Sequence, residues 1–231
     1  MSKKSKSLVL SLIVLPLVCI ASETGSWVTI SRNRLCVTEG ALDTAAHGRL
    51  SVNAPKMRAY VTQWSGQSVK LLFTYLGRTS QESALGSGAI RRQFGVKLRA
   101  QDPCNLVYAM WRIEPESKLV VSVKTNPGAH TSAECGNRGY ENIKPQKASP
   151  VPHLQAGQSH TLSAEMKNSG LRVFIDNREV WQGDVGQNAA NLDGPVGIRS
   201  DNAHLEFELQ TPASQETSSN HVRACKVGSG D

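Results

Sequence analysis

Apolar and polar residues alternate in short runs along most of the chain, and no stretch keeps a period of 3.6 residues over three helical turns. The clearest run lies at 204–210, where Leu205, Phe207 and Leu209 alternate with polar neighbours. Turn-forming residues such as those at 168–170 separate the runs. Many short strands joined by close turns favour an all-β antiparallel sandwich or jelly roll. The predicted strands are 69–76, 94–100, 105–113, 118–124, 160–166, 171–175, 180–183 and 204–210.

The second half of the chain carries four short motifs in a fixed order. They are GQSHTL at 157–162, LRVFID at 171–176, WQG at 181–183 and GPVGIR at 194–199. This order resembles the concanavalin A-like lectin/glucanase superfamily in its laminin-G-like form, over about residues 69–210. The resemblance implies a two-sheet antiparallel jelly roll that binds glycans or proteins, and that hydrolyses glycans in some members. Asn177 departs from the pattern, because glycine more commonly follows the aspartate of the hairpin.

The hydrolases of that superfamily carry an E-x-D-x-E type strand, and this sequence has no such strand. The nearest pattern is Glu114-Pro115-Glu116, which falls in a predicted turn. A retaining glycosidase needs two carboxyl groups that face each other across the substrate. A carboxylate pair on a turn is a poor candidate for that arrangement.

The outward face of the central strands is the better candidate for a site. Because side chains alternate across a strand, residues such as Phe94 and Val107 face the core while their neighbours share the opposite face. Arginine binds carboxylates and sulfates bidentately, so these residues predict a groove for an anionic glycan. The alternative is an ordinary solvated face that needs polar side chains. The predicted ligand-binding residues are Gln93, Lys97, Arg99, Tyr108, Arg112 and Lys124.

Two tryptophans depend on the register of their strands. A slip of one residue exchanges the two faces of a strand. Trp111 is therefore either a core residue or a stacking platform in the groove. Trp181 follows a hairpin, where a rim or core position is favoured over a ligand platform.

Two further hypotheses concern chemistry at single sites. A polysaccharide lyase needs a cation or amide to neutralise a uronate and a base to take a proton; Tyr108 with Arg99, Arg112 and either His130 or Gln93 is the candidate set. Asp201 and Asn202 offer oxygen ligands for Ca²⁺, although their preference for turns is the favoured interpretation. We predict no cofactor and no metal.

The first 21 residues predict a secretory signal peptide rather than part of the fold. Three lysines precede an apolar stretch at 8–21, which is short for a membrane span. Cleavage after Ala21 is favoured over a lipid anchor on Cys19. Without the three lysines of residues 1–21, which include no acidic residue, the net charge falls from +7 to +4. That is too weak to indicate nucleic-acid binding.

Four cysteines follow the signal segment, and an even number in an exported chain predicts two disulfides. Spacing alone leaves three pairings open. Because Cys104 and Cys135 flank a predicted hairpin, we pair them with each other. Cys36 and Cys225 then remain, near the two ends of the chain.

These observations predict a signal peptide at 1–21, one β-sandwich domain at 22–212 and a disulfide-tethered polar tail at 213–231. A hydrophobic content of 39% is sufficient for a core. The predicted function is a secreted or periplasmic, non-catalytic module without a transmembrane segment, which binds a carbohydrate or an extracellular protein. A polysaccharide-active enzyme, either a lyase or a glycoside hydrolase, is the alternative.

Overall fold

The computed structural model describes residues 26–63, 66–216 and residue 225. The predicted signal peptide at 1–21 and the candidate anchor Cys19 lie outside the described residues. Among the described residues, no helix combines the length and the apolar character that crossing a membrane requires.

Strands dominate the described part of the chain. There they are β1 (Trp27–Thr29), β2 (Leu35–Glu39), β3 (Asp43–Thr44), β4 (Leu50–Val52), β5 (Lys56–Val61), β6 (Ser68–Arg78), β7 (Arg92–Asp102), β8 (Asn105–Glu114), β9 (Lys118–Lys124), β10 (Tyr140–Asn142), β11 (Lys147–Ala148), β12 (Ser159–Lys167), β13 (Gly170–Ile175), β14 (Arg178–Asp184), β15 (Gly197–Asp201) and β16 (Ala203–Pro212). Two short helices are α1 (Ser132–Cys135) and α2 (Gly186–Ala190), and three single 3₁₀ turns are Arg32–Arg34, Ala46–Gly48 and Ala213–Gln215.

The strands form two antiparallel sheets. The nine-stranded sheet has the order β11-β14-β13-β12-β6-β16-β4-β3, and β1 pairs with β16 as well. The seven-stranded sheet has the order β10-β9-β8-β7-β15-β5-β2. The predicted fold class, an all-β antiparallel two-sheet sandwich, is confirmed.

All eight predicted strands are present, each within two residues of the predicted bounds at both ends. The structure adds strands that the sequence pattern did not predict. β15 overlaps the end of the GPVGIR motif and extends beyond it, and β1 to β5 occupy residues 27–61.

The core lies between the inner faces of the two sheets. Leu205, Phe207 and Leu209 are buried there, as the alternation predicts. Trp111 is fully buried, and its ring packs edge-on against Phe73 with the centroids 5.8 Å apart. The register of β8 is therefore the predicted one, and Trp111 is a core residue rather than a platform in the groove.

Both predicted disulfides are present. Cys104 and Cys135 have their Cα atoms 5.8 Å apart, and Cys36 and Cys225 have theirs 5.3 Å apart. The first bridge ties the segment after β9 back to the start of β8. The second ties residue 225 to β2, in the seven-stranded sheet.

Candidate functional site

A groove of about 850 Å³ lies on the outer face of the seven-stranded sheet. Every strand of that sheet contributes a lining residue, so the groove runs across the strands rather than along them. In sheet order from β10 to β2, examples are Asn142, Ser122, Tyr108, Gln93, Arg199, Arg58 and Thr38. The groove spans the six spacings between these seven strands, which is a length of roughly 29 Å across the sheet.

Strand alternation explains which side chains reach the groove. On β8, Val107, Ala109 and Trp111 face the core, so Tyr108, Met110 and Arg112 face outward. The cross-strand register then places Gln93 of β7 opposite Arg112. The groove floor is thus built from the face that the sequence pattern indicated.

A buried charge cluster underlies one side of the groove. The Asp201 side chain has no solvent exposure. Its Oδ1 accepts a hydrogen bond from Arg58 at 2.6 Å, and its Oδ2 accepts bonds from Arg199 at 2.9 Å and Gln93 at 2.8 Å. Burial alone raises the pKa of the Asp201 carboxyl, but the Arg199 and Arg58 guanidiniums hold that pKa below its ordinary value. Asp201 therefore stays ionised and orients two arginines.

Arg58 and Arg199 make different contacts beyond their bonds to Asp201. Arg58 also donates to the carbonyl oxygens of Met57 at 3.0 Å and Ser200 at 2.9 Å, and its side chain is 2% exposed. Arg199 stands next to Gly95 of β7 in the strand register. Arg199 extends toward β8, where its Cζ lies 5.0 Å from the centroid of the Tyr108 ring.

An aromatic pair closes the β10 side of the groove. The rings of Tyr108 and Tyr140 are stacked with their centroids 6.1 Å apart. Arg199 donates to the Tyr140 hydroxyl at 3.4 Å, and the Lys124 ammonium lies 5.0 Å from the centroid of the same ring. Tyr140 is still 40% exposed, so it presents a rigid, solvent-accessible aromatic edge beside positive charge.

The groove is positively charged. Among its described lining residues, five side chains are cationic and one, Glu39, is acidic; the cations are Lys56, Arg58, Arg91, Arg112 and Arg199. The buried Asp201 carboxylate offsets one further charge. The groove therefore keeps a net excess of positive charge.

Arg112 is a groove cation with an unpartnered donor. Within the described part of the chain, its buried Nε has no hydrogen-bond partner. Burial lowers the pKa of the Arg112 guanidinium, and the positive charge of neighbouring Arg91 lowers it further. An anion bound beside these two guanidiniums would relieve the repulsion between them.

The structure divides the predicted ligand-binding residues into two groups. Gln93, Tyr108 and Arg112 line the groove. Lys97 and Lys124 lie on the same outer face but are only 3% and 1% exposed, so the expectation that they face solvent is wrong. Lys124 is covered because its ammonium donates to the Pro103 carbonyl at 2.8 Å and lies against Tyr140.

Arg99 lies outside the groove because of a backbone irregularity. Its φ of 47° falls within the register shift between Leu98 and Asp102, which interrupts the alternation of β7. Ala100, instead of Arg99, joins the outer-face cluster with Tyr108. The Arg99 guanidinium donates to the Leu192 carbonyl at 2.9 Å.

The lyase candidates come together only in part: Tyr108, Arg112 and Gln93 line the groove. His130 is bonded to Asp102 at 2.9 Å, and neither it nor Arg99 is among the described residues that line the groove with Tyr108. Glu114 pairs with Arg92, and Glu116 pairs with Lys118 at 2.5 Å on the β8–β9 turn. No pair of facing carboxylates results from this arrangement of the described residues.

Asp201 and Asn202 follow the turn interpretation rather than the calcium one. The Asp201 oxygens are occupied by Arg58, Arg199 and Gln93. Asn202 has a φ of 55°, and its amide donates to the carbonyls of Ser83 and Arg91 at 2.9 Å each. In the described ranges no group of three or more His, Cys, Asp or Glu side chains is placed to hold a metal ion.

Sequence reasoning missed Arg58, Arg91 and Tyr140. A signal for Arg58 was present, because Met57, Ala59 and Val61 alternate with polar or larger residues in β5. Arg91 and Tyr140 have no comparable signal. Arg91 lies just before β7, and Tyr140 begins a three-residue strand inside a segment rich in turn-forming residues.

The chain matches no protein-family model and no curated protein sequence. Among solved structures, the carbohydrate binding module CBM66 from Bacillus subtilis matches with a TM-score of 0.50 and 14% identity, over 75% of this chain and 91% of that one. The Emp46p carbohydrate recognition domain matches with a TM-score of 0.49 and 11% identity, over 77% and 87%. The Caenorhabditis elegans galectin LEC-6 matches with 0.41 and 10%, over 79% and 99%.

At sequence identities this low, the matches to solved structures show a shared fold alone. The likeness to the Bacillus subtilis domain, together with the two antiparallel sheets, identifies the fold as a concanavalin A-like sandwich. The resemblance found in the sequence motifs is confirmed at this level.

Proposed function

We propose that the chain is a glycan-binding module that holds an anionic polysaccharide in the groove over the seven-stranded sheet. The observation that carries this proposal is the unbalanced positive charge of the groove, above all at Arg112 and Arg91. Guanidiniums bind carboxylates and sulfates through paired, charge-assisted hydrogen bonds. Tyr140 supplies an aromatic edge against which a sugar ring packs.

The fold supports the same proposal. The Bacillus subtilis domain that shares it is named a carbohydrate binding module. The two disulfides support a location outside the cytoplasm, because such bonds persist in oxidising compartments. With the predicted signal peptide at 1–21, this favours a secreted or periplasmic protein. Arg99 and His130 are missing from the described groove lining, and Glu114 and Glu116 are held in ion pairs, which favours binding without catalysis.

The direct test is calorimetric titration with polygalacturonic acid and with dextran sulfate, using neutral dextran as the uncharged control. We expect both acidic polymers to bind and neutral dextran not to bind. Affinity for the acidic polymers should fall steeply between low salt and 1 M salt, where the Debye length shortens to about 3 Å. Equal affinity for charged and neutral polymers would overturn the cationic-groove proposal.

A matched pair of variants locates the site. Arg112→Gln removes one guanidinium of the groove, and we expect roughly a tenfold or greater loss of affinity for the acidic polymer that binds. Arg172→Gln makes the same change on the outer face of the nine-stranded sheet, where Arg172 pairs with Glu179 at 2.6 Å. Arg172→Gln should leave affinity unchanged; an equal loss in both variants would indicate a general charge effect instead of a site.

A further inference from the structure

Two loops meet above the groove. The upper loop (residues 79–91) connects β6 to β7, and the lower loop (residues 125–139) connects β9 to β10. Gly86 of the upper loop lies against the side chain of Asn137 of the lower loop, so closely that a Cβ built at position 86 would fall 2.6 Å from Oδ1 and 2.8 Å from Cγ. Both residues line the groove.

The strand register shows that these loops leave the sheet at opposite ends. The upper loop ends at the start of β7, whose second residue, Gln93, pairs with Arg112 of β8, and the lower loop begins just after Lys124, which pairs with Leu106 of β8. Arg112 and Leu106 are six residues apart, so the two attachment levels are roughly 20 Å apart along the strands. Loops that start so far apart and still touch must together cross the outer face. We call the two loops, joined where Gly86 meets Asn137, the strap.

The two halves of the strap are fixed at their bases. The Asn202 side chain holds the upper loop through Ser83, whose amide it accepts at 2.8 Å, and through the Arg91 carbonyl at 2.9 Å. The lower loop is held by the Cys104–Cys135 disulfide and by the Asn126 amide, which donates to the Arg138 carbonyl at 3.0 Å. The loops are therefore built elements of the fold rather than free ends that happen to touch.

The strap and the groove run in different directions. The groove crosses all seven strands from Thr38 on β2 to Asn142 on β10, whereas the strap crosses the face along the strands. A ligand that follows the groove from one edge of the sheet to the other must pass beneath the strap. A branch point or a bulky substituent on the chain would meet Gly86 and Asn137.

We propose that the strap encloses the ligand, so that the groove takes a single unbranched anionic glycan chain as a passage rather than as an open cleft. This inference rests on the proposed function and adds the topology of the ligand to its charge. Gly86 and Asn137 then take part in selecting the ligand. While the loops touch, a thin glycan chain enters by its free end. When the loops separate, any linear segment of a chain enters.

The test closes the strap covalently and asks whether a chain lies under it. The double variant Gly86→Cys, Asn137→Cys in the full protein forms a third disulfide across the strap when oxidised. Its control is the same variant with both new thiols capped by iodoacetamide. The probe is a linear galacturonic acid oligosaccharide, either with free ends or with a streptavidin attached at each end.

We expect the oxidised variant to bind the free-ended probe with an affinity within about threefold of the capped control, and the end-blocked probe at least about tenfold more weakly. Oxidation after the end-blocked probe has bound should trap it, so that dissociation is no longer measurable. The capped control should bind and release both probes.

Three results would overturn the inference. They are equal binding of both probes by the oxidised variant, free dissociation of the end-blocked probe after oxidation, and an oxidised variant that binds neither probe while the capped control binds both. In all three cases the capped control still binds, so the proposed function survives. A chain that binds no acidic probe in any form overturns the proposed function, and this inference with it.

Discussion

The two outer faces of the sandwich handle charge in opposite ways. On the nine-stranded sheet, Arg172 is 53% exposed where it pairs with Glu179, and Glu206 is 35% exposed beside Arg49. On the seven-stranded sheet, Arg58 pairs with Asp201, and their own side chains are only 2% and 0% exposed. Exposed pairs contribute little to stability, whereas buried ones must offset a large desolvation cost.

This difference supports the proposal that the seven-stranded sheet carries the binding site. A sandwich needs only a solvated outer face, and the nine-stranded sheet has one. The seven-stranded sheet instead buries two arginines on one carboxylate, stacks two tyrosines and leaves the Nε of Arg112 without a partner among the described residues. The buried ion cluster and the unpartnered Nε cost stability, and such features are expected where a ligand is held.

The largest effect should come from removing the charge at Asp201. Asp201→Asn leaves Arg58 and Arg199 buried beside a neutral amide, and breaking a buried charge cluster in this way costs about 3–5 kcal/mol. Glu206→Gln, the matched change on the nine-stranded sheet, should change the free energy of unfolding by less than about 0.5 kcal/mol. Urea denaturation measures both. Similar costs for the two variants would remove the contrast between the faces.

A smaller effect should appear in the pH dependence of stability. The pKa of Asp201 is lower in the folded protein than in the unfolded chain, where an aspartate titrates near about 3.9. The stabilisation by its ionised form is therefore fully present above that value and is lost as the pH falls through the lower, folded pKa.

Unfolding free energies of the native chain and of Asp201→Asn, measured from pH 7 down to pH 2, test this. The gap between the two proteins should narrow only below about pH 4. A gap that stays constant down to the lowest pH would show that Asp201→Asn acts through packing alone and not through charge.

Within the seven-stranded sheet, the sequence predicts which side chains face the core but not which outward side chains are covered. Alternation on β7 and β8 correctly separated Phe94 and Trp111 from Gln93 and Arg112, because that pattern is local and each strand carries it. The burial of Lys97 and Lys124 could not be predicted in this way. It depends on what covers the outer face, as Tyr140 and the Pro103 carbonyl do at Lys124.

The buried charge cluster and the strap could not be predicted from local patterns either, because each joins residues that are far apart in the sequence. Arg58 and Asp201 are 143 residues apart, and Gly86 and Asn137 belong to segments whose composition indicates only loops. The disulfide at Cys104 and Cys135 was predictable, because a hairpin brings its two open ends together whatever the sequence between them.

The smallest effect should come from the hydroxyl of Tyr140. Tyr140→Phe removes a bond of 3.4 Å from Arg199 but keeps the ring stacked on Tyr108 at 6.1 Å. Because that bond is long, we expect affinity for an acidic oligosaccharide to change by less than about threefold. Tyr140→Ala removes the aromatic edge itself, so it should weaken binding by about tenfold. Phe174→Ala, which removes a ring beside Arg172 on the other face, should leave affinity unchanged. Titration of the three variants under one buffer decides the matter: equal losses for Tyr140→Phe and Tyr140→Ala would show that the hydroxyl, and not the ring, contacts the ligand.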